Sequence, residues 1–387
     1  MQKAQMLQWL EARRANGLFR TTSTVQPLSH GRLRVDGRQY LNFSGNDYLG
    51  LATDPQLRAR QAEAMLQYGA GSTGSPLVTG FHPVHQRLSE TLCDWLQLDA
   101  VLLFSSGFAA NQAMIAGLVG ADETLLLDKL CHASMIDAAT MLSNGNKNSY
   151  KRFLHNDLAS LERSIDALAT NAVVATEGVF SMDGDTPDLP NLLHRCQQDN
   201  IPVLLDDAHG LGVHGAEGAG TMSAQGLRNQ QLQCLMANFG KALGVHGGFL
   251  AADKDIIEYL RQTSRHYIYS TALPPAQAEA IRLAVEACRQ QQWRRDKLRE
   301  NIEYFRELAT HYQLQLLPST SAIQPLLVGE SQQAMLLSQH LKQSGIWVTA
   351  IRPPTVPKGQ ARLRITLSTS HTKEDLQCLM QALQQAQ

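Results

Sequence analysis

Three short stretches carry residue types that can do chemistry. The first is "ANFGKALGVHGG", residues 237–248, where Lys241 stands among glycines between the apolar runs "CLMANF" and "FLAAD". A lysine between two buried strands is poorly solvated and gives up its proton readily, which suits a nucleophile or a proton carrier. Its glycine neighbours let a ligand approach the backbone closely. The second is "VLLDDAHG", 203–210, where Asp206, Asp207 and His209 close a strongly apolar run. Ligands of open parallel sheets bind at the carboxyl ends of strands. One aspartate there would serve equally as a helix cap, but two acids and a histidine within four residues favour chemistry. The third is "LLFSSGFAAN", 102–111, an apolar run leading through Ser105, Ser106 and Gly107 into a helical stretch. Free N–H groups at a helix start, beside small residues, form an anion site.

Each stretch alone has an ordinary structural use, and for an arbitrary lysine a packed stem with a solvated tip is the rule. Together they meet the needs of pyridoxal phosphate. That cofactor requires a lysine for covalent attachment, a carboxylate against its pyridinium nitrogen and a cup for its phosphate. The carboxylate decides the ring's protonation, because two unit charges about 4 Å apart interact by about 4 kcal/mol at an effective dielectric near 20.

The elements that must position these residues are legible as patterns. "RLRVDGRQYLNF" is two alternating runs joined by Asp36-Gly37, a hairpin signal. "PQLRARQAEAMLQYG", "VHQRLSETLCDWLQL", "AANQAMIAGLV" and "PNLLHRCQQDN" read as helices, and "AVLLF", "AVVATEG" and "IPVLLDDAHG" as buried strands. Short apolar strands alternating with helices predict an α/β fold with a mainly parallel sheet. From about residue 276 long helices precede the strand-like runs "LQLLP", "IQPLLVG", "IWVTAI" and "RLRITLS" and a closing helix, an α+β pattern. The first twenty residues, through Arg20, read as an amphipathic helix.

Several function classes are excluded. The 34 basic and 35 acidic residues nearly balance across 387 positions, and no basic stripe with interleaved aromatics suggests nucleic acid. No run approaches the ~20 apolar residues of a membrane span. The six scattered cysteines form no C-x-x-C pair and fit free thiols in a reducing cytoplasm. "GLGVHG" (210–215) and "GAGSTG" (69–74) match a dinucleotide fingerprint but lack its strand–helix flanks and distal acid. "DGDTPD" (183–188) lacks a calcium loop's full ligand pattern. His82 and His85 in "HPVH" suit a capped turn better than a metal; no metal site is expected.

With these residues in view, the chain resembles the α-oxoamine synthases, pyridoxal-phosphate enzymes of the fold-type I aminotransferase class. The resemblance runs nearly end to end through "NFSGNDYLGL", "GSTGSPLVTG", "FSSGFAANQA", "DKLCHASMIDA", "TEGVFSMDGD", "DDAHGLGVHG", "FGKALG", "YIYSTALPPAQ" and "AIRPPTVPKGQARLRITLS". It implies a large cofactor domain at 46–275, a small α+β domain at 276–387, and an N-terminal helix and hairpin at 1–45 packed with the small domain. It implies that Lys241 carries the cofactor, that Asp206 faces the pyridine nitrogen, and that His209 bonds the phenolic oxygen with Ser181 nearby. His132 would stack on the ring and face the substrate, while Ser106, Gly107 and Phe108 would form the phosphate cup. Ser270 and Thr271 would reach the partner subunit's phosphate, making the site composite and the enzyme a homodimer. Arg364 would clamp the amino-acid carboxylate, and Arg20, Asn46 and Thr355 would line the acyl-donor side.

"IRPPTVP" and "DDAHG" point, within the family, to the members that condense L-alanine with a pimeloyl thioester of coenzyme A or acyl carrier protein in biotin synthesis. The alternative is another family condensation, using glycine or serine with a different acyl-CoA. A carrier of the cofactor without turnover would not need the full set of Lys241, His132, Asp206 and Arg364. The chain departs from the family pattern in one place: Asn238 stands where a threonine usually precedes the lysine by three. Its amide either donates to the phosphate or turns away to bond the backbone.

Overall fold

The computed structural model describes residues 2–142, 150–168 and 171–386. Near the start, β1 (Gln26–Leu28), β2 (Arg32–Val35) and β3 (Arg38–Asn42) form an antiparallel meander. Asp36 and Gly37 join β2 to β3 with φ of 48° and 79°, the left-handed pair that an Asp-Gly hairpin turn uses. The helix before them is shorter than the sequence pattern suggested. It runs Lys3–Ala15, Asn16 closes it by donating to the Ala12 carbonyl at 2.7 Å, and Gly17 turns away at φ 66°. Arg20 therefore lies in the irregular segment after the helix and not on it.

The central sheet has seven strands: β4 (Ala100–Phe104), β5 (Thr124–Asp128), β6 (Tyr150–Phe153), β7 (Ala172–Glu177), β8 (Val203–Asp206), β9 (Cys234–Asn238) and β10 (Gly248–Ala252). Their order is β4-β10-β9-β8-β7-β5-β6. β6, β5, β7, β8 and β9 pair in parallel, and β10 alone runs antiparallel to both its neighbours. The strands are near-continuous apolar runs because both faces are covered. Val203 and Leu205 enter one apolar cluster and Leu204 the other; Val101 and Leu103 are separated from Leu102 and Phe104 in the same way.

The glycines of "GLGVHG" have a structural use. A Cβ on Gly210 would lie 2.0 Å from Asp207 Oδ1, and Gly212 and Gly215 hold φ of 85° and 78°. The run makes room for a buried carboxylate in a tight turn, not for a nucleotide. His82 caps the helix Pro83–Leu96, its N–H donating to His85 Nδ1 at 2.9 Å, while His85 Nε2 meets the Leu273 carbonyl at 2.6 Å.

Beyond the sheet, the helices Pro275–Gln290 and Gln292–His311 follow one another across Gln291. β11 (Ile323–Gly329) comes next, then β12 (Ile346–Trp347), β13 (Thr349–Ile351) and β14 (Ala361–Thr366). "IWVTAI" is thus two strands. β12 joins the first meander, parallel to β3, and β13 pairs with β14 in a second sheet of order β11-β14-β13. "LQLLP" is not a strand: Leu316 makes only an isolated bridge to Leu326. The next ladder bond would need an N–H from Pro325, which has none. Among the described residues no helix is long and apolar enough to cross a membrane.

Candidate active site

β7, β8 and β9 end side by side, with Glu177 paired to Asp206 in register. From the end of β9 the chain makes a tight excursion through Lys241 and returns as β10. Gly240 N–H donates to Asn238 Oδ1 (3.1 Å), Val245 N–H to the Phe239 carbonyl (2.8 Å) and Phe239 N–H to the Gly247 carbonyl (2.9 Å). This hairpin packs on the start of the helix Gly107–Leu118, where a Cβ on Gly248 would come within 2.8 Å of Gly107 Cα. The lysine is thereby fixed over three strand ends and beside one helix start.

Burial brings the Lys241 ammonium down to a pKa of about 8, helped by Arg364 and opposed by Asp206, Glu177 and Asp207. A neutral amine is thus within reach near neutral pH. The two adjacent aspartates divide their tasks. Asp206 accepts from Asn111 Nδ2 at 2.7 Å and from Ala208 N–H at 2.9 Å. Asn111 also donates to Ser134 Oγ (2.9 Å), which bonds His132 Nδ1 (2.7 Å). Asp207 instead takes the N–H and hydroxyl of Thr221, at 2.7 and 2.5 Å, at the head of the short helix Thr221–Ala224. Burial first, and Asp206 as well, raises its pKa to about 7.

His209 is buried, and desolvation first, then Lys241 and Arg364, hold its imidazole well below the usual pKa, so it is neutral. Its Nδ1 lies 2.8 Å from the hydroxyl of Tyr48. Arg364, on β14, donates through Nε to the Ser181 carbonyl at 2.6 Å and through both terminal nitrogens to Asn46 Oδ1 at 3.3 Å. Lys241, His132, Asp206, His209, Ser181, Asn46 and Arg364 are thus tied into one constellation by bonds or mutual fields.

At the other end, Ser106 caps the helix Gly107–Leu118, its Oγ accepting from Ala109 N–H at 3.2 Å. Phe108 meets the His132 ring edge-on at 6.3 Å. Asn238 makes the backbone bond, one of its two expected alternatives. Its oxygen bonds the backbone of the turn, and that bond directs its amide nitrogen toward the helix start, 3.4 Å from where a Cβ on Gly107 would be.

Other expected residues stand apart from this set. Ser270 and the exposed Thr271 follow the helix Arg265–Tyr269 and are placed by the Ala272 N–H bond to Gly74 O (2.9 Å). Arg20 and Thr355 are exposed on two segments joined by the bond from Arg352 to the Gly17 carbonyl.

Four residues went unread in the sequence: Tyr48, Asn111, Ser134 and Glu177. Glu177 was findable, since it ends an apolar strand as Asp206 does. It is buried, takes the His132 N–H, and has its carboxyl pKa raised well above normal by burial and by Asp206, with Oε1 unpartnered. A carboxylate held by N–H donors beside a lysine of lowered pKa, and a helix start with an added amide donor, fit the ring nitrogen, carbonyl and phosphate of pyridoxal phosphate.

Residues 38–383 match the family model of class I and II aminotransferases, and the chain belongs to that family. Its named relatives are narrower. It is 46% identical over 374 residues to 8-amino-7-oxononanoate synthase of Aeromonas hydrophila, covering 97% of this chain and 92% of that one. It is 45% identical over 378 residues to the enzyme of that name from Vibrio vulnificus, covering 98% and 96%. Among solved structures it is similar to serine palmitoyltransferase from S. paucimobilis with bound PLP–myriocin aldimine, at a TM-score of 0.91 and 26% identity over 98% of this chain and 96% of that one. It is also similar to 8-amino-7-oxononanoate synthase from Francisella tularensis, at a TM-score of 0.78 and 28% identity over 89% and 96%. These relatives place it among the α-oxoamine synthases.

Proposed function

We propose that this chain is a pyridoxal-phosphate-dependent acyltransferase that makes 8-amino-7-oxononanoate from L-alanine and a pimeloyl thioester, with release of carbon dioxide and the free thiol. The observation that carries the reading is the placement of Arg364. A guanidinium held by Ser181 and Asn46, in the field of Lys241, is a clamp for an amino-acid carboxylate. The near full-length relatives of that name supply the particular product.

Bound pyridoxal phosphate supplies an electron sink for the pair left at the amino acid's α-carbon. The chain's residues do the rest. Lys241 would hold the cofactor covalently, and its free Nζ would take the α-proton and later return one. Asp206, kept in place by Asn111 and Ala208, would hold the proton of the ring nitrogen. His209 donates to the phenolic oxygen beside Ser181. His132 stacks on the ring, fixed by Ser134. Asn46, Thr355 and Arg20 line the acyl side. The carrier is coenzyme A or acyl carrier protein, both of which present the same thioester.

The reading includes a homodimer in which Ser270 and Thr271 serve the partner's phosphate cup. Exposed Val78, Phe81 and Tyr269 beside them support a covered surface there. It also includes a cytoplasmic enzyme and the division into 1–45, 46–275 and 276–387. Mixing the holoenzyme with alanine and pimeloyl-CoA should release carbon dioxide and thiol in equal amounts. Release with glycine or serine and another acyl-CoA, but not with this pair, would select the alternative condensation.

Asn238 offers a sharper test of the phosphate cup. With its oxygen held by Gly240, its amide donates to the phosphate, and a hydrogen bond to a charged group is worth about 1.5–3 kcal/mol. Asn238→Ala should weaken cofactor binding by about one to two decades, and Asn238→Thr should largely keep it. Equilibrium dialysis of the apoprotein decides; an alanine variant binding as tightly as the parent removes Asn238 from the cup.

A further inference from the structure

The hydroxyl of Tyr48 is the joint between the two halves of the site. It lies 2.8 Å from His209 Nδ1 and 3.1 Å from Asn46 Oδ1, and the same Asn46 oxygen takes both terminal nitrogens of Arg364 at 3.3 Å. Tyr48 is only 1% exposed, so no water competes for these bonds. Its phenol carries one proton: the Asn46 oxygen can only accept it, His209 Nδ1 accepts or donates with its tautomer, and the Arg364 guanidinium can only donate to the phenol oxygen. Desolvation raises its pKa, and it stays neutral. The contact to His209 Nδ1 is the shorter, 2.8 Å against 3.1 Å to Asn46 Oδ1, and the phenol oxygen already accepts from the Arg364 guanidinium, which leaves its proton free to be donated. The phenol proton therefore belongs to His209 Nδ1. A histidine that accepts at Nδ1 must carry its own proton on Nε2, and so presents a donor to whatever lies beyond.

We propose that Tyr48 is a positioning residue that fixes His209 as an Nε2–H donor and links that donor to the carboxylate clamp of Asn46 and Arg364. The proposal rests on the reading that His209 faces the cofactor's phenolic oxygen. Loading the clamp with a carboxylate draws the guanidinium away from Asn46. That frees Asn46 Oδ1 to compete for the Tyr48 proton, so amino-acid binding is felt at His209 through one hydroxyl. The other charged and titratable groups acting on His209 are Lys241, Arg364 and His132.

The test is an absorbance pH titration of the holoenzyme, with and without L-alanine, on Tyr48→Phe, Asn46→Ala and His209→Asn. A hydrogen bond donated to the phenolic oxygen stabilises its deprotonated form. Tyr48→Phe, which keeps the ring's packing, should therefore shift the bound chromophore's apparent pKa upward by about one unit. It should also change the chromophore's spectral response to alanine. Asn46→Ala should leave that pKa near the parent value while raising the alanine KM about tenfold, because Tyr48 still meets His209. If His209→Asn moves the titration and Tyr48→Phe does not, the role of Tyr48 is overturned. If His209→Asn itself leaves the titration unmoved, it is the placement of His209 that fails. Should Tyr48→Phe not fold, an Asn46→Ala variant with a pKa shift as large as that of His209→Asn overturns the order of the relay.

Discussion

Lys241→Ala abolishes measurable turnover, a fall of at least about ten-thousandfold. A positioned acid–base group alone contributes about 10²–10⁴-fold, and here the same nitrogen also attaches the cofactor. The fold should survive, since the hairpin is held by backbone bonds at Phe239 and Val245 and by the Gly240 N–H on Asn238 Oδ1, none of which involves the lysine side chain. Loss of activity with an unchanged melting temperature is therefore the expected pair of results. In the parent protein, borohydride should fix the cofactor to the peptide containing Lys241. A label found on Lys129 or Lys151 would overturn the assignment.

Asp206→Asn should lower kcat by about a thousandfold. An ion pair in a site of this burial is worth about 4 kcal/mol, and each 1.36 kcal/mol is a factor of ten in rate. The structure indicates why the substitution can be absorbed. Asn111 Oδ1 is buried and unpartnered, so a flip of the Asn111 amide lets it accept from the new amide, while Ser134 Oγ serves either orientation. The cost should thus appear in kcat and in the pH dependence of cofactor absorbance more than in stability. Asp207→Asn should do the reverse, because Asp207 is bonded to Thr221. A crippled Asp207→Asn enzyme beside a mild Asp206→Asn would reverse the division of labour between the two acids.

How much of this was legible depended on the range of the interaction. Lys241, Asp206 and Ser106 were readable because each ends or follows an apolar strand, and strand ends are where open sheets place chemistry. β7 and β8 were readable as continuous apolar runs, and the first hairpin from Asp36-Gly37. The "IWVTAI" run concealed a change of sheet at Val348, since period-two patterning reports burial and not which partner supplies it. The failure of "LQLLP" to pair lay in Pro325, eleven residues from its first leucine. The end of the first helix turned on Asn16 and Gly17, whose cap was written in the sequence but outweighed by the apolar residues beyond it. Tyr48 and Asn111 were out of reach, because their roles depend on partners 161 and 95 positions away.

The reversed strand β10 has a consequence for how this protein can vary. Connections between parallel strands run through helices, and such crossovers absorb added or lost residues at modest entropic cost. The link from β9 to β10 is a hairpin, and both of its arms are zipped: β10 pairs with β9 on one side and with β4 on the other. A residue inserted between Phe239 and Gly247 must either bulge beside the lysine or slip the register, and a slip of one position exchanges the two faces of a strand buried on both sides. The segment carrying Lys241 is held to a fixed count of residues by the sheet itself, so the position of the reactive nitrogen is set by the arithmetic of strand pairing.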